Sequence, residues 1–365
     1  MKRLIFLPLL FAVFSHKSYS QGCVMIRSIN GFGQYNGLNN SFTNSEWQLT
    51  FSSRYYSANK VHFEGKDLTP SKENQTVNSV FTAEATVTRL LSNGWSLDLT
   101  IPYTDGARTS NQEHGGVNTT PRYTTRATGL GDVRFMARKW LFAPDTNQRG
   151  NIQLGLGLKF ATGDYKYQDY FHPNDTTVVL SYVNPSIQLG DGGTGIMTEV
   201  NAYYFLNRKK TLSLYGNIFY MFSPRDQNGV LFTMGRTPTP PANPALRALH
   251  YENSVPDVWA LRGGIEYNLK NWGFSLGLRD EGVPIHDVLG ASNGLRRPGY
   301  NLGVEPGIIY NQSRFSIFFY LPVFIKNDIK LSVTDQEKSE IIGAPVVAPG
   351  GSGTYLIFVG AQFRL

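Results

Sequence analysis

The chain has a single cysteine, Cys23, among 365 residues, which excludes an internal disulfide framework and any zinc site built on thiolates. It also lacks a long hydrophobic run. The longest, Leu4 to Phe14, falls short of the ~20 apolar residues a spanning helix needs. Blocks of one charge are missing too, since 34 Lys and Arg are interspersed with 27 Asp and Glu, so a nucleic-acid surface is not expected. The histidines beyond the N-terminus, His62, His114, His172, His250 and His286, fall one apiece in or beside the first five long polar segments. No His-x-x-x-His pair or adjoining carboxylate cluster accompanies them, and they read as solvated loop residues with no metal site. A Ser-His-acid constellation on rigid elements is likewise absent, so no catalytic residue, enzymatic activity or cofactor is expected. The glycine clusters Gly129-Leu130-Gly131-Asp132 and Gly190-Asp191-Gly192-Gly193-Thr194-Gly195 precede no helix of a βαβ unit, and they read as tight bends.

What is present starts at the N-terminus. Lys2 and Arg3, the apolar run, and then Ser18-Tyr19-Ser20 predict a secretory signal peptide over 1–20, cleaved before Gln21. Lipidation of Cys23 is the weaker alternative, because Ser20-Gln21-Gly22 lacks the Leu such signals favour. Loss of Lys2, Arg3 and Lys17 leaves 31 basic residues against 27 acidic, so the net charge falls from +7 to +4. A mean hydropathy of −0.25 resembles that of a soluble protein, yet alternation hides a lipid-facing surface from such averages. Phe 23, Tyr 20, Trp 5 and Gly 37 suit aromatic girdles and glycine-eased curvature.

Period-two alternation recurs along the chain. Trp47 to Tyr55, Phe81 to Val87, Trp95 to Tyr103, Val133 to Leu141 and Ile152 to Phe160 each put apolar side chains on one face. Ile196 to Leu206, Leu212 to Phe222, Trp259 to Leu269, Phe274 to Leu278, Tyr300 to Tyr310, Phe315 to Ile325 and Thr354 to Leu365 follow the same rule. Twelve is an even count, and a last strand ending on an aromatic near the terminal residue suits a closing stave. Short connectors at Ser92-Asn93-Gly94, Asn207 to Lys210, Lys270-Asn271 and Asn311-Gln312-Ser313 alternate with long polar segments. The long segments are 58–77, 104–128, 164–193, 224–256, 282–298 and 326–353, and 143–150 is a longer connector on the short-turn side. The expected fold is all-β: one transmembrane antiparallel β-barrel of about 12 strands over 45–365, after an N-terminal periplasmic segment at 21–44. Its expected location is the outer membrane of a Gram-negative bacterium, with outer-membrane lipid as a partner. Asn243-Pro244 signals a short helix in the fourth long loop, read first as a capped surface turn and second as a constriction.

If the apolar face meets lipid, the alternate positions line the lumen. The candidates are Arg54, Glu84, Asp98, Arg134, Arg138, Lys159, Glu199, Arg262, Glu266, Arg279, Glu281, Glu305 and Arg314. Each would cost about 2 to 4 kcal/mol at the midplane on the lipid face, so their confinement to one side supports the register. Lys139 breaks the pattern and is expected at the periplasmic interface. The candidates read either as a polar channel with a slight basic excess or as a salt-bridged filling.

Gly129-Leu130-Gly131-Asp132-Val133, Gly157-Leu158-Lys159-Phe160-Ala161-Thr162-Gly163-Asp164 and Asn184-Pro185-Ser186-Ile187-Gln188-Leu189-Gly190 resemble the recurring motifs of one barrel family. These are the outer-membrane transporters of the MetA-pathway of phenol degradation type. The resemblance implies passive passage of small molecules, aromatic or hydrophobic ones among them, and no catalysis. The alternative is a non-conducting structural or adhesin-like barrel working through its extracellular loops. Solute identity, openness of the lumen and oligomeric state are not written in the sequence.

Overall fold

The structure, a computed structural model, describes residues 47–71, 75–110, 114, 122–142, 149–174, 176–236, 241–249 and 252–365. The signal peptide, the segment 21–44, Cys23, His250 and most of the connector 143–150 lie outside the described residues.

Twelve antiparallel staves form the wall. They are β1 (Trp47–Phe63), β2 (Val77–Leu90), β3 (Trp95–Thr109), β4 in two pieces (Thr124–Leu130 and Arg134–Trp140), β5 (Gly150–Lys159) and β6 (Gly195–Phe205). Then come β7 (Leu212–Phe222), β8 (Val258–Leu269), β9 (Trp272–Val283), β10 (Gly299–Asn311), β11 in two pieces (Phe315–Tyr320 and Val323–Ile329) and β12 (Gly350–Arg364). Each stave pairs with the next, and β12 pairs with β1 from Gln48↔Arg364 to Tyr56↔Leu356, so the sheet closes on itself. Closure satisfies the backbone hydrogen bonds that hydrocarbon cannot, which is why a barrel can span a bilayer.

Alternation decides which face meets lipid. On β5, Ile152, Leu154, Leu156 and Leu158 are exposed, whereas Asn151, Gln153 and Lys159 at alternate positions are buried. The short connectors lie at one end, where Asn93 (φ 59°), Lys210 (φ 55°) and Lys270 (φ 53°) take the left-handed conformation that tight turns demand. Asn207 fastens its own turn, accepting the Thr211 N–H at 2.9 Å and donating to the Thr211 hydroxyl at 2.8 Å. Aromatics gather at that same end: the Arg89 guanidinium lies 4.8 Å above the Trp47 ring and Trp272 packs 4.7 Å from Tyr310. Lys139 is there too, its ammonium 5.5 Å from the Trp95 ring and donating to the Asn93 carbonyl.

At the other end the staves run past the expected strand limits. β1, β3 and β12 extend to 17, 15 and 15 residues, and the outer piece of β4 occupies part of the segment expected to be loop. Hairpins at Gln168–Phe171 with Val179–Tyr182, and at Gln227–Leu231 with Glu252–Ser254, add further strand to the long loops. The helix heralded by Asn243 is present at Pro244–Ala248, with the Asn243 side chain accepting from the Ala245 N–H at 3.0 Å. It stays largely exposed and does not constrict the mouth. A second helix, Val333–Ile342, stands in the last long loop behind a capping box of Ser332 and Asp335 and ends at Gly343 (φ 71°).

Candidate functional site

The interior of the barrel is the candidate site. Among the expected lumen residues, Arg54, Glu84, Asp98, Arg134, Arg138, Lys159, Glu199, Arg262, Glu266, Arg279, Glu281 and Glu305 are all buried, with 7% exposure or less. Arg314 is the exception. It sits in the turn between β10 and β11, where its side chain is exposed and its carbonyl accepts the Arg364 N–H at 2.8 Å. Strand alternation does not carry through a turn, so the parity count that placed it inside fails there.

The buried charges form a belt. Arg134 meets Glu84 at 2.9 Å, and Arg138 bridges Glu199 at 2.8 Å and Asp98. Across the barrel Arg279 holds Glu281 at 2.5 Å and Glu305 at 3.2 Å, while Glu305 also takes Arg262. Hydroxyls and amides complete the pattern: Thr88 donates to Asp98 at 2.5 Å, Thr86 and Thr100 pair at 2.8 Å, and Asn217 donates to Glu199 at 3.0 Å. Little space remains within the belt. The gap bounded by Arg54, Arg262, Arg279, Glu305 and Tyr320 admits no water, and that beside Asp98, Arg134, Arg138 and Glu199 holds about 20 Å³. Along one wall Tyr215, Ile309, Phe318, Tyr320 and Phe358 form an apolar cluster, with the Phe318 and Phe358 rings 5.7 Å apart. Tyr215 lies across Gly264 and Gly277, paired on β8 and β9, in space that a β-carbon at either position would fill.

A loop closes the lumen above the belt. Val183, Ile187 and Leu189 fold inward and pack on Tyr56, Val80, Ala127, Phe324 and Leu356, with Ile187 wholly buried. Two hydrogen bonds to Asn184 shape this plug: the Ile187 N–H reaches its carbonyl at 3.0 Å, and the Ser186 N–H reaches its side-chain oxygen at 3.0 Å. The fourth long loop, whose second reading was a constriction, lies outside this plug, and the third long loop forms it.

At the plug's base the three glycine-bearing motifs meet. Lys159 sits between Asp132, at 3.3 Å, and Asp191, while Asp132 accepts the Gly163 N–H at 2.9 Å. The break in β4 is stitched by Thr162, whose hydroxyl accepts the Val133 N–H at 2.8 Å and donates to the Gly131 carbonyl at 3.0 Å. A β-carbon on Gly163 would meet the Leu189 carbonyl at 2.7 Å, so backbone approaches backbone closely enough to require glycine. Asp132 and Asp191 were missed as interior groups, because neither lies within a regular alternating run. With them counted and Arg314 removed, Arg54, Arg134, Arg138, Lys159, Arg262 and Arg279 face eight carboxylates, so the expected basic excess disappears.

Between plug and belt lies a cavity of about 120 Å³, lined by apolar Pro102, Leu189, Met221 and Val258 and also by polar and charged side chains, Asp132, Lys159, Asp191 and Asn228 among them. Its outer wall is pinned by a network linking the fourth and fifth loops. Arg296 contacts Asp287 at 2.6 Å and Ser254 at 2.6 Å, and Asp257 accepts from the Tyr220 hydroxyl and the Val288 N–H, both at 2.8 Å. Burial raises the Asp287 carboxyl from its ordinary range, against the pull of Arg296.

The extracellular loops also gather two histidines. The His114 and His172 rings lie 5.7 Å apart, His172 stacks on Tyr123 at 3.7 Å, and His114 stacks on Phe171 at 5.5 Å. His114 is buried rather than solvated, and desolvation, helped by His172, lowers it to about 4. His62 also has a partner, Ser352 at 2.6 Å. No cluster of three or more metal-binding side chains occurs among the described residues.

No protein-family model matches the chain, and no curated protein matches it in sequence. The solved structures do align. The COG4313 outer membrane channel from Pseudomonas putida F1 superposes at a TM-score of 0.57, with 9% identity over 92% of this chain and 99% of that one. The fold is that of an outer-membrane β-barrel. The translocator domain of the autotransporter NalP from Neisseria meningitidis aligns at a TM-score of 0.45, with 9% identity over 90% of this chain and 92% of that one. The toluene transporter TodX of P. putida aligns at 0.42, with 9% identity over 92% and 94%. Those two likenesses are too loose to carry argument.

Proposed function

We propose that the chain is an outer-membrane channel or transporter that lets small molecules pass without energy input, aromatic or hydrophobic ones among them. The cavity of about 120 Å³ inside the lumen carries this reading, because it combines apolar with polar walls and lies between a folded-in loop and an ion-paired belt. A barrel filled only for rigidity has no need of such a chamber. The three motifs that resemble the MetA-pathway family fall at the base of the plug, where a gate would be controlled. In this reading the signal peptide at 1–20 delivers the chain through the periplasm, and both termini remain there.

Swelling of proteoliposomes in small neutral solutes tests the proposal. Slow, size-limited swelling is expected for the wild type, and faster swelling when Asn184 to Gly190 is replaced by a short Gly-Ser link. Absence of swelling from both would favour the second reading, a non-conducting barrel that works through its loops. The observation on that side is the belt itself, whose side chains leave no more than about 20 Å³ in the gaps described above.

A further inference from the structure

Two basic side chains interrupt the apolar outer surface of the barrel. Arg89 on β2 continues the lipid-facing row of Val87, and Lys139 on β4 continues that of Phe135. Both lie at the end that bears the short connectors, where a charge on the lipid face costs little because headgroups begin there. Each is steadied by an aromatic ring. Arg89 lies 4.8 Å above Trp47, its cross-strand partner on β1. Lys139 lies 5.5 Å from the ring of Trp95, its partner on β3, and donates to the Asn93 carbonyl. Four consecutive staves thus present ring, cation, ring, cation to the bilayer.

This sector differs from the rest of the girdle. On β6, β8 and β9 the corresponding rings are Tyr204, Tyr267 and Trp272, exposed and with no cation over them among the described residues, and basic groups such as Lys209 and Lys270 belong to the turns. Its charge is also of one sign. Among the described residues, the same ends of β1 to β4 hold a single acid, Asp98, and that carboxylate faces the lumen, where Thr88 and Arg138 take it. Arg89 and Lys139 stand two staves and two residues apart in register, roughly 12 Å between backbones, a span that two long side chains close around one headgroup.

We infer that the lipid-facing ends of β1 to β4 bind an anionic glycerophospholipid of the periplasmic leaflet, with Arg89 and Lys139 holding its phosphate and Trp47 and Trp95 flanking its glycerol. A guanidinium offers paired N–H groups to two phosphate oxygens, the ammonium adds a point charge, and indole rings favour headgroup depth. Phosphatidylethanolamine carries the same phosphate, but its ammonium meets two cations and no acid here, so phosphatidylglycerol is preferred. The assignment takes the end with the short connectors as periplasmic, and it holds whether or not the barrel conducts.

Native mass spectrometry of the full chain, titrated in detergent with phosphatidylglycerol or phosphatidylethanolamine of identical acyl chains, tests it. The wild type should retain phosphatidylglycerol about tenfold more tightly than phosphatidylethanolamine. Arg89→Gln and Lys139→Gln should each cost phosphatidylglycerol about fivefold, and the double variant more than about tenfold, whereas Lys139→Arg should retain it. Lys270→Gln, in an exposed turn outside the sector, should change nothing. Equal retention of the two lipids by the wild type overturns the inference without recourse to any variant. Undiminished phosphatidylglycerol binding in the double variant, or an equal loss in Lys270→Gln, overturns it as well. Lipid A, the phosphorylated lipid of the opposite leaflet, is the third titrant. Its binding should be unchanged in the double variant, and a selective loss of lipid A overturns the assignment to the periplasmic leaflet.

Discussion

Arg138 shows what a buried charge does in this lumen, since it joins Asp98 on β3 to Glu199 on β6 beside a gap of only about 20 Å³. Removing one partner of such a group leaves the others uncompensated. Arg138→Met is therefore expected to cost about 3 to 5 kcal/mol, read as a lower urea midpoint for loss of heat-resistant mobility on gels. His114 acts in the opposite sense, as a group kept neutral. Its folded value of about 4 lies below the ordinary 6.5, so the unfolded loop takes up a proton first as pH falls. The loop contribution is complete above about pH 6.5 and declines progressively towards pH 4. Hydrogen exchange of the Gln168–Tyr182 hairpin should rise between pH 7.5 and pH 5 in the wild type, and His114→Phe should flatten that dependence.

At the level of elements, the plug depends on close backbone contact. A side chain at Gly163 would strike the Leu189 carbonyl and the Gly190 nitrogen, 2.7 and 2.9 Å from its β-carbon. Gly163→Val should expel the plug, at about 1 to 3 kcal/mol of lost packing, and expose the Val183 to Leu189 segment to added protease while the staves stay intact. The staves themselves were legible in the sequence, because period-two patterning sets each lipid-facing run and the short turns fix their order. Reading Arg314 as an interior residue failed because parity does not survive a turn. The helix at Val333–Ile342 had a visible cue in Ser332 and Asp335, three apart, which alternation-led reading passed over. No local cue existed for the plug or for the meeting of His114 with His172. Both depend on contacts between segments far apart in sequence, and the motif glycines reveal their purpose only when Leu189 is seen against them.

Taken whole, the described residues form a closed barrel with a lipid-facing surface, a belt of paired charges inside it and a loop folded into its lumen. The interior holds slightly more acidic than basic groups, so any open state should not favour anions on charge alone. In the proposed channel, opening releases the plug's base, the Asp132–Lys159–Asp191 contact. Single-channel current in planar bilayers, compared between the wild type and an Asp132→Ala, Asp191→Ala variant, tests this most directly. The account predicts small, infrequent openings in the wild type and larger, longer ones in the variant. Equal currents would contradict the role of the plug, and silence from both, with correctly folded barrels, would contradict the channel.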